Sequence, residues 1–289
     1  MTLSLSYVGI EASDLVAWRD FATLVGLQPV PVDGALCLRM DGLARRFIIT
    51  EGPADDLSFA GFEASDRDGF DAAVARLDEK GVAWQPGTAD GAALRAVDRY
   101  VSFSDLQGIR HEIALNCALA DTPFAPEHAS AGFVTGIEGL GHIAANASDH
   151  LACEEFMIAA LGGRLSDHIF SPFGDQTVKV SFLHFNPRHH SLAYAQFPVL
   201  GAKKIDHIMI EYNDIKDVLK VHARIVERNI PITITLGEHP NDHAVSFYCT
   251  TPSGFRFEVA ASCIKVDPDT WKTTVYPYFS MWGHQVVNA

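Results

Sequence analysis

The chain has 289 residues, of which 48% are hydrophobic and 20% charged, and its formal net charge is −14. This composition is typical of a globular protein long enough for two domains, each with its own core. The negative charge argues against nucleic acid or an anionic membrane as a partner, since both attract basic surfaces. No basic, apolar leader, no apolar run near about twenty residues and no CxxC spacing occur, so we expect a reduced, cytoplasmic protein without a membrane partner.

Segments that open with a β-patterned run and close with an acidic residue recur four times along the chain. Residues 5–14 align with 140–149, and residues 59–66 align with 207–214. Each closing Ser-Asp or Asn-Asp pair suits a helix N-cap. Short β-rich runs follow after each predicted helix. The repeat predicts an α+β fold of four βαβββ modules.

One helix is predicted after each cap, ending at a residue that favours a left-handed conformation. The predicted helices cover residues 14–25, 68–80, 149–161 and 214–228. Their predicted ends are Gly26, Gly81, Gly162-Gly163 and Asn229. A polar stretch with two prolines at 121–128 predicts a linker between two pairs of modules. We therefore expect an N-terminal domain over 1–130, including the linker, and a C-terminal domain with its tail over 131–289.

Two histidines and one glutamate, His142, His207 and Glu258, each lie on a β-patterned run close to a turn signal. Two imidazoles and one carboxylate can form an open iron site that leaves coordination positions for substrate and O₂. Eleven of the thirteen histidines lie at or after His142, so the chemistry is expected in the second half.

The first half has different residues at the three corresponding places. Tyr7 aligns with His142, Phe59 with His207, and Glu112 with Glu258. One carboxylate among aromatic rings cannot hold a divalent ion tightly, so no metal is expected there. A role in scaffolding and in contacts within a homo-oligomer is preferred for this half.

Three further segments carry a family resemblance. They are Gly237-Glu-His239 followed by Phe247-Tyr-Cys-Thr-Thr-Pro-Ser-Gly-Phe-Arg-Phe-Glu258, then Asn186-Pro-Arg-His-His190-Ser-Leu-Ala193, and Trp282-Gly-His284. With them, the whole chain resembles the type I extradiol catechol dioxygenases of the vicinal oxygen chelate superfamily. It looks closest to the members that cleave 2,3-dihydroxybiphenyl and other 3-substituted catechols. The resemblance implies that the modules pair into two vicinal-oxygen-chelate-type domains, and that the triad binds Fe(II), or less commonly Mn(II).

The resemblance also implies roles for residues around the metal. His190 would be the acid–base residue, while Tyr248 and His239 would hydrogen-bond the catecholate oxygens and bound oxygen. A catechol must lose protons to chelate a metal, and the O–O bond must gain one to break, so an imidazole with a pKa near neutrality suits both steps. Asp242 and His243 would lie just outside this group, although they could instead merely shape a turn.

Two residues close to these in sequence, His189 and Arg256, are expected to face away from the site. His189 directly precedes His190, and both cannot face one pocket if the segment is extended, so His189 is expected at the surface or in packing. Arg256 is expected to point away from Glu258. Five apolar residues are candidates for the distal substrate pocket, although an apolar strand residue is more often plain core: Ala144, Ile169, Phe182, Ala193 and Phe197.

The function expected from these features is extradiol ring cleavage of an aryl- or alkyl-catechol by O₂. The run 193–200 contains no positive charge to receive a ring carboxylate, although Arg164, Arg188 or Lys203 could reach the pocket from elsewhere. One alternative is a glyoxalase-type isomerase or lyase, which typically uses two carboxylates among four ligands. The other is a metal-free protein that binds aromatic ligands on the same fold.

Overall fold

The computed structural model describes residues 2–267 and 269–287, and its strands form two large sheets. The first half contains β1 (Leu3–Ala12), β2 (Gln28–Val32), β3 (Ala35–Arg39), β4 (Phe47–Glu51), β5 (Asp56–Ala64), β6 (Trp84–Pro86), β7 (Val97–Ser104) and β8 (Arg110–Cys117). The second half contains β9 (His142–Asn146), β10 (Arg164–Phe173), β11 (Gln176–His184), β12 (Leu192–Gln196), β13 (Ile205–Tyr212), β14 (Ile232–Glu238), β15 (Val245–Thr250), β16 (Arg256–Ala261) and β17 (Thr274–Tyr276).

Five helices and one short 3₁₀ turn accompany these strands in the described ranges. They are α1 (Leu15–Leu24), α2 (Arg67–Glu79), α3 (Ala89–Arg95), α4 (His150–Leu161), α5 (Ile215–Glu227) and the turn Gly136–Glu138. Among residues 2–267 and 269–287, no helix is both long and apolar enough to cross a membrane.

The order of the elements confirms the predicted α+β fold of four βαβββ modules. The modules begin at β1, β5, β9 and β13, and α3 is an addition within the second one. In each sheet two modules meet through their first strands, which pair antiparallel: β1 with β5, and β9 with β13. The sheet orders are β2-β3-β4-β1-β5-β8-β7-β6 and β14-β15-β16-β13-β9-β12-β11-β10-β17.

Acidic caps start the four main helices where the sequence predicts them. The carboxylates of the four cap residues each accept a hydrogen bond from a backbone N–H in the first turn, which satisfies a donor that the helix leaves unpaired. These caps are Asp14, Asp66, Asp149 and Asp214. One predicted end residue at each helix has positive φ, which suits a helix C-terminus: Gly26, Gly81, Gly162 and Asn229, but not Gly163.

The two halves share one large hydrophobic core. Phe21 on α1 packs edge-on against Phe257 on β16, with ring centroids 5.3 Å apart. The Trp18 indole N–H donates to the Ser253 hydroxyl at 2.8 Å. The N-terminal half therefore packs directly behind a strand of the second sheet that also carries Glu258.

Candidate metal centre and active site

Three predicted ligand residues meet at the centre of the second sheet. The Nε2 atoms of His142 and His207 are 3.0 Å apart, and they lie 3.2 and 3.3 Å from Oε2 of Glu258. His142 and Glu258 are buried, and His207 is half-buried. The structure thus brings together two nitrogens and one carboxylate oxygen from residues 116 positions apart in the chain (258 minus 142).

The pairing of neighbouring strands explains this convergence. Met209 on β13 pairs with His142 on β9 and with Glu258 on β16, and directly paired residues share a face of the sheet. His207 lies two residues before Met209 and therefore faces the same side. Gly141 allows the close approach of β9 to β13, because its φ is +143° and an added Cβ would lie 1.9 Å from the Met209 carbonyl oxygen.

The protonation states of these side chains suit a divalent cation. Burial lowers the pKa of His142 to about 4, so its imidazole is neutral near pH 7. Burial raises the pKa of Glu258, but hydrogen bonds from His142 and His207 outweigh it and hold the pKa well below its ordinary value. Oε1 of Glu258 is buried without a hydrogen-bond partner among the described residues. His142 and Glu258 are thus in the forms that bind metals, and with the His207 imidazole they make a donor set that fits an ion such as Fe(II).

Asp206 orients one of these imidazoles. Its Oδ2 lies 2.8 Å from Nδ1 of His207, which leaves Nε2 of that ring directed at Glu258. A carboxylate behind a histidine ligand fixes the ring and its tautomer in many metal sites. Burial lowers the pKa of His207, but the hydrogen bonds to Asp206 and Glu258 raise it to about 9. A metal ion would therefore displace a proton from this ring.

His190 lies beside the metal-binding candidates and lines the cavity described below. Its ring centroid is 4.0 Å from that of His142 and 4.8 Å from that of Phe182. Burial lowers the pKa of His190 well below its ordinary value, which leaves a neutral imidazole able to accept a proton. His189 is buried behind it, with Nδ1 3.0 Å from Nδ1 of His190 and Nε2 2.8 Å from Asp167.

Tyr248 and His239 form a hydrogen-bonded pair on the other side of Glu258. The Tyr248 hydroxyl lies 2.8 Å from Nε2 of His239, whose Nδ1 donates to the Phe279 carbonyl oxygen at 2.6 Å. Burial and the charge of Glu258 raise the pKa of Tyr248 well above its ordinary value, so the phenol remains a hydrogen-bond donor. His284 packs on His239 with ring centroids 4.1 Å apart.

The glycine of the Gly-Glu-His segment allows the C-terminal residues to approach this pair. A Cβ on Gly237 would lie 2.4 Å from the backbone nitrogen of His284 and 2.5 Å from the carbonyl oxygen of Trp282. The C-terminal segment therefore lies directly against β14, and His284 and Val286 reach the cavity wall.

Asp242 and His243 lie in different surroundings. Asp242 is buried, lines the cavity and places Oδ2 3.9 Å from Nδ1 of His190. The side chain of His243 is 46% exposed and contacts Glu238 at 3.2 Å, and its φ of +58° is that of a turn residue. The structure therefore places Asp242 at the site and His243 outside it, in the turn before β15.

A cavity of about 520 Å³ opens from the three candidate ligands. All the residues predicted to line a substrate pocket lie on its wall: Ala144, Ile169, Phe182, Ala193 and Phe197. Further apolar wall residues that the sequence did not single out are Val178, Val180, Ala195, Ile234, Phe279 and Val286.

Arg256 also lines this cavity, contrary to the expectation that it points away from Glu258. The two residues are two positions apart on β16, so they share one face of the sheet. Nη1 of Arg256 lies 3.2 Å from Oδ1 of Asp206, and this ion pair offsets its charge. Arg188, another candidate for reaching the pocket, is buried in an ion pair with Glu211 instead.

The corresponding place in the first sheet is built differently. Arg95 at the end of α3 binds Glu112 through two contacts of 2.5 and 2.6 Å, and the Tyr7 hydroxyl donates to the same carboxylate at 3.0 Å. The Arg95 guanidinium lies 4.0 Å from the centre of the Phe59 ring and 4.4 Å from that of Tyr100. Nε of Arg110 also lies 3.1 Å from Oε1 of Glu112, so two arginine side chains supply positive charge next to the carboxylate.

Comparisons with known proteins agree with this architecture. Residues 139–259 match the family model described as Glyoxalase/Bleomycin resistance protein/Dioxygenase superfamily, and residues 5–52 match one described as Dihydroxybiphenyl dioxygenase BphC D1. The biphenyl-2,3-diol 1,2-dioxygenase of Metapseudomonas furukawaii is 40% identical over 98% of this chain and 94% of that protein. A protein of Rhodococcus jostii named iron-dependent extradiol dioxygenase is 34% identical over 97% of this chain and 96% of its own length.

A solved structure of a catechol 2,3-dioxygenase has a TM-score of 0.91 and 29% identity, covering 100% of this chain and 96% of that one. The paired βαβββ modules define the vicinal oxygen chelate class of proteins. At the identity and coverage of its relatives, the chain belongs to the type I extradiol catechol dioxygenase family within that class.

Proposed function

We propose that this protein is an Fe(II)-dependent extradiol dioxygenase that cleaves 3-substituted catechols such as 2,3-dihydroxybiphenyl. The observation that carries the proposal is the convergence of His142, His207 and Glu258 at the base of an apolar cavity. Fe(II) held by these residues would supply adjacent positions for the two catechol oxygens and for O₂. The name of the Rhodococcus jostii relative supports iron over Mn(II).

The surrounding side chains are assigned to binding and proton transfer. His190, neutral and beside His142, accepts a catechol proton and later returns one to the reacting oxygen. The Tyr248 phenol donates to a substrate oxygen, and its contact with His239 fixes its direction. Asp242, whose Oδ2 lies 3.9 Å from Nδ1 of His190, adds a negative charge beside that imidazole. The contacts of these groups, and the protonation states of His190 and Tyr248, support the assignments.

The apolar part of the cavity is assigned to the substituent of the catechol ring. Wall residues such as Ile169, Phe182 and Phe197 suit an aryl or alkyl group, and the volume of about 520 Å³ suits a two-ring substrate. The reaction would add both atoms of O₂ next to the diol and give a yellow, ring-opened acid that carries a keto group.

The domain organisation, assembly and compartment of the protein are also proposals. We propose that residues 1–130 form a metal-free domain and residues 131–289 the catalytic one, and that the protein assembles as a homo-oligomer. Met1, Pro268 and the last two residues lie outside the described ranges. All five cysteines are free, which supports the proposal of a reducing, cytoplasmic compartment.

Anaerobic reconstitution tests the function directly. Purified protein would receive Fe(II), then 2,3-dihydroxybiphenyl, then air, and a yellow product is expected. His142→Ala should lose both iron and turnover, because it removes one of three ligands. Tyr7→Phe, which alters the equivalent position of the first half, is the matched control and should keep its iron.

Two outcomes would contradict the proposal. Full iron content and turnover in His142→Ala would remove this residue from the metal site. Binding of the catechol without ring opening in the iron-loaded protein would favour a ligand-binding protein on the same fold.

A further inference from the structure

A second group of two imidazoles and one carboxylate lies on the outer face of the second sheet. His150 and Glu154 are one helical turn apart on α4, and His168 on β10 faces them. One ligand atom from each residue lies within 4.8 Å of the other two. His150 is buried, and the side chains of Glu154 and His168 are 12% and 14% exposed. The three side chains therefore point to a common, largely enclosed position.

This group lies directly behind the wall of the cavity. His168 precedes Ile169 on β10, and Ser181 lies between Val180 and Phe182 on β11. Because successive side chains of a strand point to opposite faces, the cavity-lining residues and this group occupy the two sides of the same hairpin. Helix α4 covers the outer side.

The polar contacts within the group are short. Nε2 of His168 lies 2.7 Å from Oε2 of Glu154, and the Ser181 hydroxyl donates to the same oxygen at 2.7 Å. Nδ1 of His150 lies 2.8 Å from the Ser181 hydroxyl oxygen. The Glu154 carboxylate therefore contacts the His168 imidazole directly and is linked to the His150 imidazole through the Ser181 hydroxyl.

The charges in this group suit a cation. Burial lowers the pKa of His150, which keeps the imidazole neutral. Burial raises the pKa of Glu154, but the hydrogen bonds from His168 and Ser181 bring it below its ordinary value. The positive charge of Lys179, on β11, would repel a cation, but this side chain is exposed to solvent. Asp149 adds a carboxylate nearby, engaged in capping α4.

We propose that His150, Glu154 and His168 form a second divalent-metal site, with Zn(II) as its preferred ion. Imidazole nitrogen and carboxylate oxygen are common zinc ligands, and three protein ligands leave a fourth position for water. Residues at i and i+4 of a helix share one face, so α4 presents two ligands while β10 supplies the third. The proposal does not depend on the reaction assigned to the cavity.

Occupancy of this site would link α4 to the β10–β11 hairpin. An ion that binds the folded chain and not the unfolded one raises thermal stability. Because the inner side of the same hairpin lines the cavity, the ion would also hold that wall in place. Zinc is therefore expected to stabilise the hairpin on the side that faces away from the cavity.

Zinc uptake by the iron-loaded protein tests the proposal. With Fe(II) in the catalytic site, the protein would be titrated anaerobically with Zn²⁺ in competition with a chromogenic chelator. The wild type should take up one zinc ion per chain more than Glu154→Gln and His168→Gln. Glu155→Gln, which removes the same charge from the adjacent, exposed position of α4, should bind zinc like the wild type.

A parallel titration of His142→Ala distinguishes zinc bound at this site from zinc bound at the catalytic site. This variant should still bind the additional zinc ion. Crystals of the wild type soaked in Zn²⁺ provide a measurement that does not depend on the folding of any variant. Anomalous density between His150 and His168 would support the site. Equal uptake by wild type and Glu154→Gln, or anomalous density elsewhere and none between these two histidines, would overturn it.

Discussion

His190 is the side chain whose removal best separates proton transfer from metal binding. Its ring packs against that of His142, but strand pairing between β9, β13 and β16 brings the three candidate ligand residues together. His190→Ala should therefore keep its iron and still bind catechol, while kcat falls on the order of 10²–10⁴-fold, as is typical of a lost acid–base group. Iron analysis and steady-state kinetics on the same preparation measure both quantities.

His222→Ala is a suitable control for this variant, because His222 lies on α5 and packs on Phe247 away from the cavity. It should match the wild type in kcat. Loss of iron from His190→Ala, with unchanged turnover per bound iron, would mark His190 as a structural residue instead.

Tyr248→Phe removes one hydroxyl and leaves the ring in place. The phenol of Tyr248 stays protonated beside Glu258, so it can donate to an anionic substrate oxygen. Loss of one such hydrogen bond costs about 1.5 kcal/mol, or roughly tenfold in kcat/KM. The effect should be smaller than that of His190→Ala. A variant equal to the wild type at both limiting and saturating substrate would exclude Tyr248 from the site.

Most residues around the candidate metal site could be predicted from the sequence, because they lie in sequence motifs or on predicted strands. Asp206 was missed, although it directly precedes His207, since adjacent residues of a strand usually face opposite ways. Its carboxylate reaches Nδ1 of that histidine rather than Nε2. His284 was noted as part of a motif without a role, because its contact with His239 depends on where the C-terminal segment folds back.

At the scale of elements, the helices were predictable because each carries local signals at both ends. The four acidic caps close the repeated segments, and a residue with positive φ follows each helix. Helix α3 was not predicted. It has only seven residues, includes Gly91, and follows a Thr88 cap that has no counterpart in the other modules. Short helices of this kind depend on packing more than on propensity.

Helix α3 positions Arg95, and the interaction of Arg95 with Glu112 could not be read from residue spacing. The guanidinium and carboxylate are both buried, so removing Arg95 leaves the Glu112 carboxylate with the partly exposed Arg110 as its charged neighbour. Arg95→Met should lower the free energy of unfolding by roughly 3 kcal/mol, the lower end of the range for a broken buried ion pair. Chemical denaturation of wild type and variant, with iron content measured in parallel, checks this value.

The exposed pair between Arg99 and Asp71, on β7 and α2, provides the comparison. Arg99→Met should change the free energy of unfolding by about 1 kcal/mol or less, because solvent screens an exposed ion pair. Equal effects of the two substitutions would show that Arg95 does not stabilise the first sheet through its charge.

At the scale of the whole molecule, the two halves repeat one architecture while their centres differ. In one sheet His142 and His207 face Glu258, and in the other Tyr7 and Phe59 face Glu112, which pairs with Arg95. The sequence repeat was sufficient to predict which half has two histidines and a glutamate that could hold a metal. It could not predict how the halves pack, since contacts such as Trp18 with Ser253 join residues 235 positions apart.

Substrate preference is a property of the complete cavity. Its walls are mainly apolar, and the charge of Arg256 is offset by Asp206. A ring carboxylate would lose its hydration there without gaining an unpaired cation, which is unfavourable. The values of kcat/KM for 2,3-dihydroxybiphenyl and 3-methylcatechol should therefore exceed that for a dihydroxybenzoate by at least about tenfold. The free energy equivalent to a tenfold ratio is only a modest part of the desolvation cost. Preference for the carboxylated member of this panel would contradict the apolar assignment, and a colourless muconate diacid would contradict extradiol cleavage.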